Sequence, residues 1–193
     1  MFKITYMKTL KESILSRSSH GGEGFKAQRR ESIEKWLDKY EIKNYTIKDD
    51  FTIDVDGDVD ICTINLKEFP EYIQFDIVKR DFNCELNQLI SLRGAPREVG
   101  RDFYCSLNEL TSLEGAPKKV GGDFDCFRNN LTSLKGCPRE IGGNFSCNHN
   151  NLTSLEGAPR KVGGKFECDH NHTQFIDDDV REVCNVKGKI RVR

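Results

Sequence analysis

The residues of this chain best suited to chemistry lie in its last third, where cysteine, aspartate and histidine occur together. Cys168, Asp169, His170 and His172 fall within one short segment, and a 21-residue interval separates His149 from His170. Imidazole, thiolate and carboxylate groups are the common ligands of zinc. The same interval recurs through the chain, so we expect His149 and His170 to be spatial neighbours that could share a metal ion. A metal-dependent enzyme at this pair is therefore one hypothesis.

The same segment lacks the other parts of an active site. Alternation along a strand would point Cys168 into the core, and no general base or oxyanion-binding group is evident near the histidines. The site would also lie on a flat sheet without a pocket. We therefore predict a chain that is not an enzyme and that uses no metal or other cofactor.

Five of the eight cysteines recur at this 21-residue interval, which marks a repeat position rather than a disulfide framework: Cys84, Cys105, Cys126, Cys147 and Cys168. Parallel strands lie about 4.8 Å apart, whereas the β-carbons of a disulfide prefer about 3.8 Å. A thiol buried beside phenylalanine usually serves as a small apolar filler. The sequence therefore predicts reduced, metal-free thiols.

The 21-residue interval organises the whole middle of the chain. The segments LTSLEGAPKKVGG, LTSLKGCPREIGG and LTSLEGAPRKVGG begin at Leu110, Leu131 and Leu152. A phenylalanine stands two residues before each repeated cysteine, and alternation places both on one face of a short strand. An asparagine follows three residues after each cysteine, where its amide can satisfy backbone groups at the bend. These residues are Asn87, Asn108, Asn129, Asn150 and Asn171.

This unit resembles the leucine-rich repeat, with phenylalanine and cysteine in strand positions that leucine usually holds. The resemblance covers roughly residues 55–175 and extends to the short repeats of bacterial effector proteins and of uncharacterised phage-encoded repeat proteins. It implies a mainly β solenoid of α/β type, a right-handed coil of six turns with one parallel sheet. Gly121, Gly142 and Gly163 stand where the pattern expects an apolar residue, so we expect a different outer arc.

Both ends of a solenoid need caps, because they would otherwise expose its core. Residues 25–54 are predicted to cap the first turn with a helix and a hairpin, since the helix has apolar residues at helical spacing: Ile33, Trp36, Leu37 and Tyr40. Residues 176–193 are predicted to form a short C-terminal cap. Residues 1–24 are predicted to be a flexible leader and linker, and their start is similar to leader segments of many phage proteins.

The composition excludes a strongly charged or membrane-spanning chain. Thirty Lys and Arg residues balance 31 Asp and Glu residues, so no overall field favours nucleic acid or an anionic membrane. No apolar run approaches the length that a membrane helix needs, and charges interrupt the start of the chain, where a signal peptide would be apolar. We therefore expect a cytoplasmic protein, in a bacterial host if the chain is phage-encoded, and no membrane partner.

The function that the sequence favours is binding of a protein partner on the open side of the sheet. Residues between each phenylalanine and cysteine, and the two after the cysteine, should face outward and have no packing role. Aromatic residues beside an arginine are typical of interface anchors. The predicted partner-binding residues are Leu86, Tyr104, Leu107, Asp125, Phe127, Arg128 and His149. If the chain is phage-encoded, the partner is expected to be a host or viral protein; its identity and the oligomeric state of the chain stay open.

Two alternatives to this surface remain. A basic stripe on the far side of each turn could contact phosphates, although it lacks interleaved aromatic residues. Its residues are Arg97, Lys118, Lys119, Arg139, Arg160 and Lys161. The chain could also be a structural or packaged virion-associated protein that is addressed by its N-terminal leader. The neutral overall charge favours a protein partner over nucleic acid.

Overall fold

The computed structural model describes residues 21–193 and shows a mainly β solenoid of seven turns that follows an N-terminal helix. Helix α1 spans Gly21–Lys39. An antiparallel hairpin follows it, made of β1 (Tyr45–Ile47) and β2 (Ile53–Val55). The predicted solenoid is thus confirmed, whereas residues 1–20 of the predicted leader lie outside the described residues.

Helix α1 covers the first turn of the solenoid with the apolar residues that its periodicity indicated. Ile33, Trp36 and Leu37 are buried at three- and four-residue spacing along one side of the helix. The Trp36 ring contacts Phe69 and Phe75 of the solenoid, with ring centroids 6.4 and 6.2 Å apart. Because the helix begins at Gly21, residues 21–24 belong to it and not to the predicted linker.

Strands β3 to β15 alternate between two parallel sheets. The odd-numbered strands form a seven-stranded sheet: β3 (Val59–Asp60), β5 (Phe82–Asn83), β7 (Phe103–Tyr104), β9 (Phe124–Asp125), β11 (Phe145–Ser146), β13 (Phe166–Glu167) and β15 (Ile190–Arg191). The even-numbered strands join β1 and β2 in an eight-stranded sheet: β4 (Phe75–Val78), β6 (Glu98–Val99), β8 (Lys119–Val120), β10 (Glu140–Ile141), β12 (Lys161–Val162) and β14 (Asn185–Val186).

The eight-stranded sheet corrects the prediction of a single sheet. Its strands contain the valines and isoleucine that stand one residue before the unexpected glycines, as in Val120 before Gly121 and Ile141 before Gly142. These residues are buried, and successive turns pair them in register. The apolar position of the outer arc has therefore moved by one residue, and the arc forms strands because each of them buries a β-branched side chain.

The glycine after each of these buried residues allows neighbouring turns to approach closely. A Cβ atom on Gly121 would lie 2.1 Å from the carbonyl oxygen of Gly100, and one on Gly142 would lie 1.9 Å from that of Gly121. The next glycine makes room for a side chain, since a Cβ on Gly122 would lie 2.0 Å from Oδ1 of Asp102. That carboxylate accepts a 2.7 Å hydrogen bond from the backbone N–H of Asp123. The Gly-Gly pair thus serves backbone contacts.

The core between the sheets is a column of phenylalanines beside a column of cysteines. Neighbouring rings lie close together, with centroids 5.6 Å apart for Phe82 and Phe103 and 5.3 Å for Phe103 and Phe124. The five repeated cysteines are buried, and all eight cysteines are free thiols. Burial raises the pKa of the Cys84 thiol far above its ordinary value, which disfavours the reactive thiolate.

The repeated asparagines satisfy the backbone at the bend that follows five of the seven strands of the seven-stranded sheet, β5 to β13, as predicted. Oδ1 of Asn129 accepts a 3.0 Å hydrogen bond from the backbone N–H of Leu110. Its Nδ2 donates to the carbonyl oxygens of Cys105 and Cys126, at 3.0 and 3.2 Å. Asn108 and Asn150 make the same bonds one turn away. Each amide therefore ties its own turn to the one before it.

The C-terminal residues add a seventh turn, where we predicted six turns followed by a separate cap. Strand β14 pairs in parallel with β12, and β15 pairs in parallel with β13. Helix α2 (Asp177–Val183) lies between β13 and β14 and buries Val180 in the core. This insertion separates the paired residues Phe166 and Ile190 by more than the usual interval, so the periodic pattern does not reveal the last turn.

Candidate functional site

The outer face of the seven-stranded sheet, which we call the strand face, carries the residues predicted to bind a partner. Leu86 is 51% exposed, and Arg128 and His149 are also exposed. Phe127 meets His149 edge-on, with ring centroids 5.1 Å apart. The remaining predicted residues lie on neighbouring turns and are half-buried: Tyr104, Leu107, Asp125 and Phe127. The structure therefore brings the predicted set together on one face.

The second residue after each repeated cysteine has a left-handed backbone, with φ between 53° and 56°. Large side chains occupy this position on five successive turns, which we call the left-handed column: Leu86, Leu107, Arg128, His149 and His170. Glycine and asparagine adopt this conformation readily, whereas it costs most other residues about 1 kcal/mol or more. We did not predict this geometry, and its one sequence signal is the asparagine that follows each position and marks a bend.

Several strand-face residues have packing roles, which corrects the expectation that they would be free. Ser106 is 2% exposed, and its hydroxyl donates a hydrogen bond to the Glu85 carboxylate of the preceding turn. The hydroxyl of Tyr104 donates to Asp102 at 2.9 Å. Burial and this hydrogen bond raise the pKa of Tyr104. Side chains on adjacent turns cover one another, so the shorter ones are buried on an otherwise open face.

Asp125 lies near the middle of the strand face and is held by its own turn. Its Oδ1 accepts a 2.8 Å hydrogen bond from the backbone N–H of Phe127. Burial raises the pKa of the Asp125 carboxyl, and this hydrogen bond offsets part of the rise. The ionised carboxylate is therefore less favourable here than in water.

The histidine pair is stacked in a way that does not favour a shared metal ion. The rings of His149 and His170 have centroids 4.3 Å apart and planes within 6° of parallel. Nitrogen lone pairs lie in the ring planes, so those of two parallel stacked rings do not converge on one point. Nδ1 of His170 instead lies 2.7 Å from the Asp169 carboxylate, which is 1% exposed. Across residues 21–193, no three histidine, cysteine, aspartate or glutamate side chains converge as a metal site.

The predicted basic stripe separates into two columns beside the eight-stranded sheet. In the first column, Glu98 stands beside Lys119 and Glu140 stands beside Lys161, so positive and negative charges alternate. The second column is entirely basic and exposed: Arg97, Lys118, Arg139 and Arg160. Within it, Nε of Arg97 donates to Asp76 at 2.7 Å. Nearby acidic residues therefore leave less positive charge to bind phosphates than the six basic residues of the predicted stripe suggest.

A groove of about 500 Å³ on the outer arc of the first turns is a feature that the sequence did not indicate. Phe69, Pro70, Ile73 and Ala95 form part of its lining, with Arg93 at its side. None of the predicted site residues lines it. Phe69, Pro70 and Ile73 belong to the link between β3 and β4.

The remaining structural findings do not assign a class to the protein. In the part of the chain that the structure describes, no helix combines the length and apolar character that a membrane crossing requires. The structure establishes a solenoid with a 21-residue repeat. Compared with protein-family models, with curated proteins and with solved structures, the chain matches none of them.

Proposed function

We propose that this chain is a non-catalytic protein-binding module whose partner docks on the strand face. The observation that carries the proposal is the left-handed column, in which large side chains occupy backbone positions that asparagine or glycine would fill at lower cost. Leu86 is unfavourable for a second reason, because about half of its apolar side chain is exposed to water. Retaining an exposed leucine there is understandable if another protein covers it.

The residues around this column have the composition of an interface. Leu86 and Leu107 are apolar neighbours on successive turns, and Tyr104 and Phe127 lie beside them. Arg128 is exposed at the edge of this group. Aromatic residues and arginine dominate the energetics of many protein interfaces, whereas single exposed leucines are common on any surface. The grouping on adjacent turns favours binding.

The left-handed backbone offers a test that separates binding from structure. Leu86→Asn should leave the thermal midpoint unchanged or raise it, since asparagine tolerates this conformation better. The same variant should weaken binding of the native partner, because a docked apolar side chain is lost. Ile90→Asn is the matched control, since Ile90 is also 51% exposed but lies outside the strand face.

The measurement is a quantitative pull-down from host lysate with each folded variant as bait. A lower thermal midpoint together with full binding for Leu86→Asn would contradict the proposal and give Leu86 a structural role. Tyr104→Ala and Phe127→Ala should each cost about 2 kcal/mol, roughly a thirtyfold loss of affinity. Retained binding in both, with binding lost in Lys118→Glu combined with Lys119→Glu, would assign the function to the basic stripe.

We also propose a divergent leucine-rich-repeat protein that is phage-encoded and acts in the bacterial cytoplasm. The repeated unit supports the repeat class, and so does the asparagine ladder, the column of repeated asparagines that tie each turn to the one before it. The phage origin depends on the resemblance of the repeats and of the leader, of which residues 1–20 lie outside the described part of the chain. Mass spectrometry of purified virions would detect the chain if it were instead a packaged virion protein, and its absence from virions is the expected result.

A further inference from the structure

The charges of the strand face change sign from the first turn of the solenoid to the last. The first turn carries alternating acidic residues, Asp56, Asp58 and Asp60, in the segment DGDVDI. The last turn carries alternating basic residues in the segment KGKIRVR: Lys187, Lys189, Arg191 and Arg193. In both segments the charged residues occupy every second position up to the apolar strand residue, which is Val59 in the first turn and Ile190 in the last, and a further charged residue follows it directly.

The strand register places these opposite charges in the same columns. Val59 pairs with Phe82, and the pairing continues turn by turn to Phe166 and Ile190. Val59 and Ile190 therefore mark the two ends of one column. Asp58 and Lys189, one residue earlier in the chain than Val59 and Ile190, therefore share a second column. Asp60 and Arg191, one residue later, share a third.

The column that contains Asp58 and Lys189 shows a graded change. It is acidic on the first four turns, neutral on the fifth and basic on the last two: Asp58, Asp81, Asp102, Asp123, Asn144, Lys165 and Lys189. Arg80 and Arg101 partly offset the first two acids, at 3.3 and 3.9 Å. Among the described residues, Asp60 and Lys189 form no ion pair, whereas Arg191 lies 3.5 Å from Asp169 and 3.9 Å from Glu167 of its own chain.

We propose that a second copy of this chain docks on the strand face in reverse order, so that the first turn of each copy lies against the last turn of the other. A two-fold axis parallel to the strands and passing by β9, the fourth of the seven strands, produces this arrangement. Asp58 then faces Lys189 of the other copy, and Asp60 faces Arg191. Both ends of the interface are charge-complementary, and the middle turns between them contribute aromatic residues together with Asp123 and Asp125, which face the same residues of the other copy at the axis.

Reverse face-to-face docking fits the described structure better than stacking of solenoids end to end. Strand β1 already occupies the outer edge of β2, and helix α1 covers the core of the first turn. The last turn of another copy therefore has no access to a full first-turn edge. Within residues 21–193, the strand face has exposed residues from the first turn to the last, from Asp60 to Arg191.

The size of the face predicts a weak dimer. Seven strands at about 4.8 Å spacing extend over about 29 Å, and the outward residues of each strand span about 15 Å. The resulting area of about 450 Å² per copy is below the roughly 800 Å² of a standard interface. We therefore expect dissociation in the micromolar range or weaker, and a strong dependence on salt because the paired charges are exposed.

Sedimentation velocity over a range of protein and salt concentrations tests this arrangement. Wild type should form a dimer at low salt that dissociates at high salt. Asp58→Lys and Lys189→Asp should each weaken the dimer at least about tenfold, since attraction between these two facing positions becomes repulsion at two symmetric places. The double variant should regain wild-type affinity. Lys118→Asp, with the same change of charge on the opposite side, should have no effect.

The inference rests on the proposed binding function of the strand face, and the two can fail separately. A chain that is monomeric at every concentration, or a double variant as weak as the single ones, overturns the self-association. If Leu86→Asn still loses the native partner in that case, the protein-binding function stands. Thermal melts confirm folding, and Lys189→Asp removes no internal side-chain hydrogen bond of the described residues, so its dimerisation can be interpreted directly.

Discussion

Gly142 lies where any side chain would collide with the neighbouring turn, because a Cβ there would come within 1.9 Å of the Gly121 carbonyl oxygen. Gly142→Ala should therefore lower the free energy of unfolding by more than about 2 kcal/mol, as over-packing of a rigid backbone contact does. Gly24→Ala is the control, since no atom lies near that position and alanine favours a helix by about 1 kcal/mol. Urea denaturation measures both, and equal stability of Gly142→Ala and wild type would contradict the close approach.

Asp125 should make stability depend on pH in a direction that its raised pKa determines. A carboxyl whose pKa is higher in the folded chain stabilises the fold below its unfolded value of about 3.9 and loses that contribution as pH rises through the folded pKa. Asp125→Asn keeps the acceptor for the Phe127 N–H and removes the charge. Its thermal midpoint should match wild type near pH 3 and exceed it at pH 7. A variant that is less stable at pH 7 would show that the fold needs the charge.

At the asparagine ladder, two adjacent asparagines should differ sharply in how much they contribute to stability. Asn129 bonds to Leu110, Cys105 and Cys126, whereas Asn130, the next residue, is exposed. Asn129→Ala leaves these buried backbone groups without partners and should cost about 3 kcal/mol or more. Asn130→Ala should cost less than about 0.5 kcal/mol. Similar denaturation midpoints for the two variants would mean that the ladder does not stabilise the turns.

Most strands of the seven-stranded sheet could be predicted from sequence because the buried phenylalanine of each is followed two residues later by a buried cysteine, as Phe124 is by Cys126. The strands of the eight-stranded sheet could not, since most of them hold a single buried residue, such as Val120, and one residue defines no alternation. In β8, β10 and β12, a Gly-Gly pair follows the buried residue and lets the neighbouring turns approach closely. The seventh turn was missed for a different reason, because α2 lengthens its spacing.

For the whole molecule, the repeat register predicted which residues share the strand face but not how deeply each one lies. Leu86 and Ser106 were both expected to be free, yet one is 51% and the other 2% exposed. The difference depends on the side chains of the turns above and below, which a single repeat does not specify. The left-handed backbone of Leu86 and Leu107 was likewise beyond the pattern, because leucine is rarely found in that conformation.

The central claim is that a protein partner covers the strand face, and site-specific photo-crosslinking tests it most directly. A photoreactive phenylalanine analogue replaces Phe127 on the strand face in one protein and Lys118 on the basic side in another. Each protein is irradiated in lysate of its native host, after a thermal melt has shown that it is folded. Position 127 should capture one discrete partner and position 118 should not; capture from position 118 alone would contradict the claim.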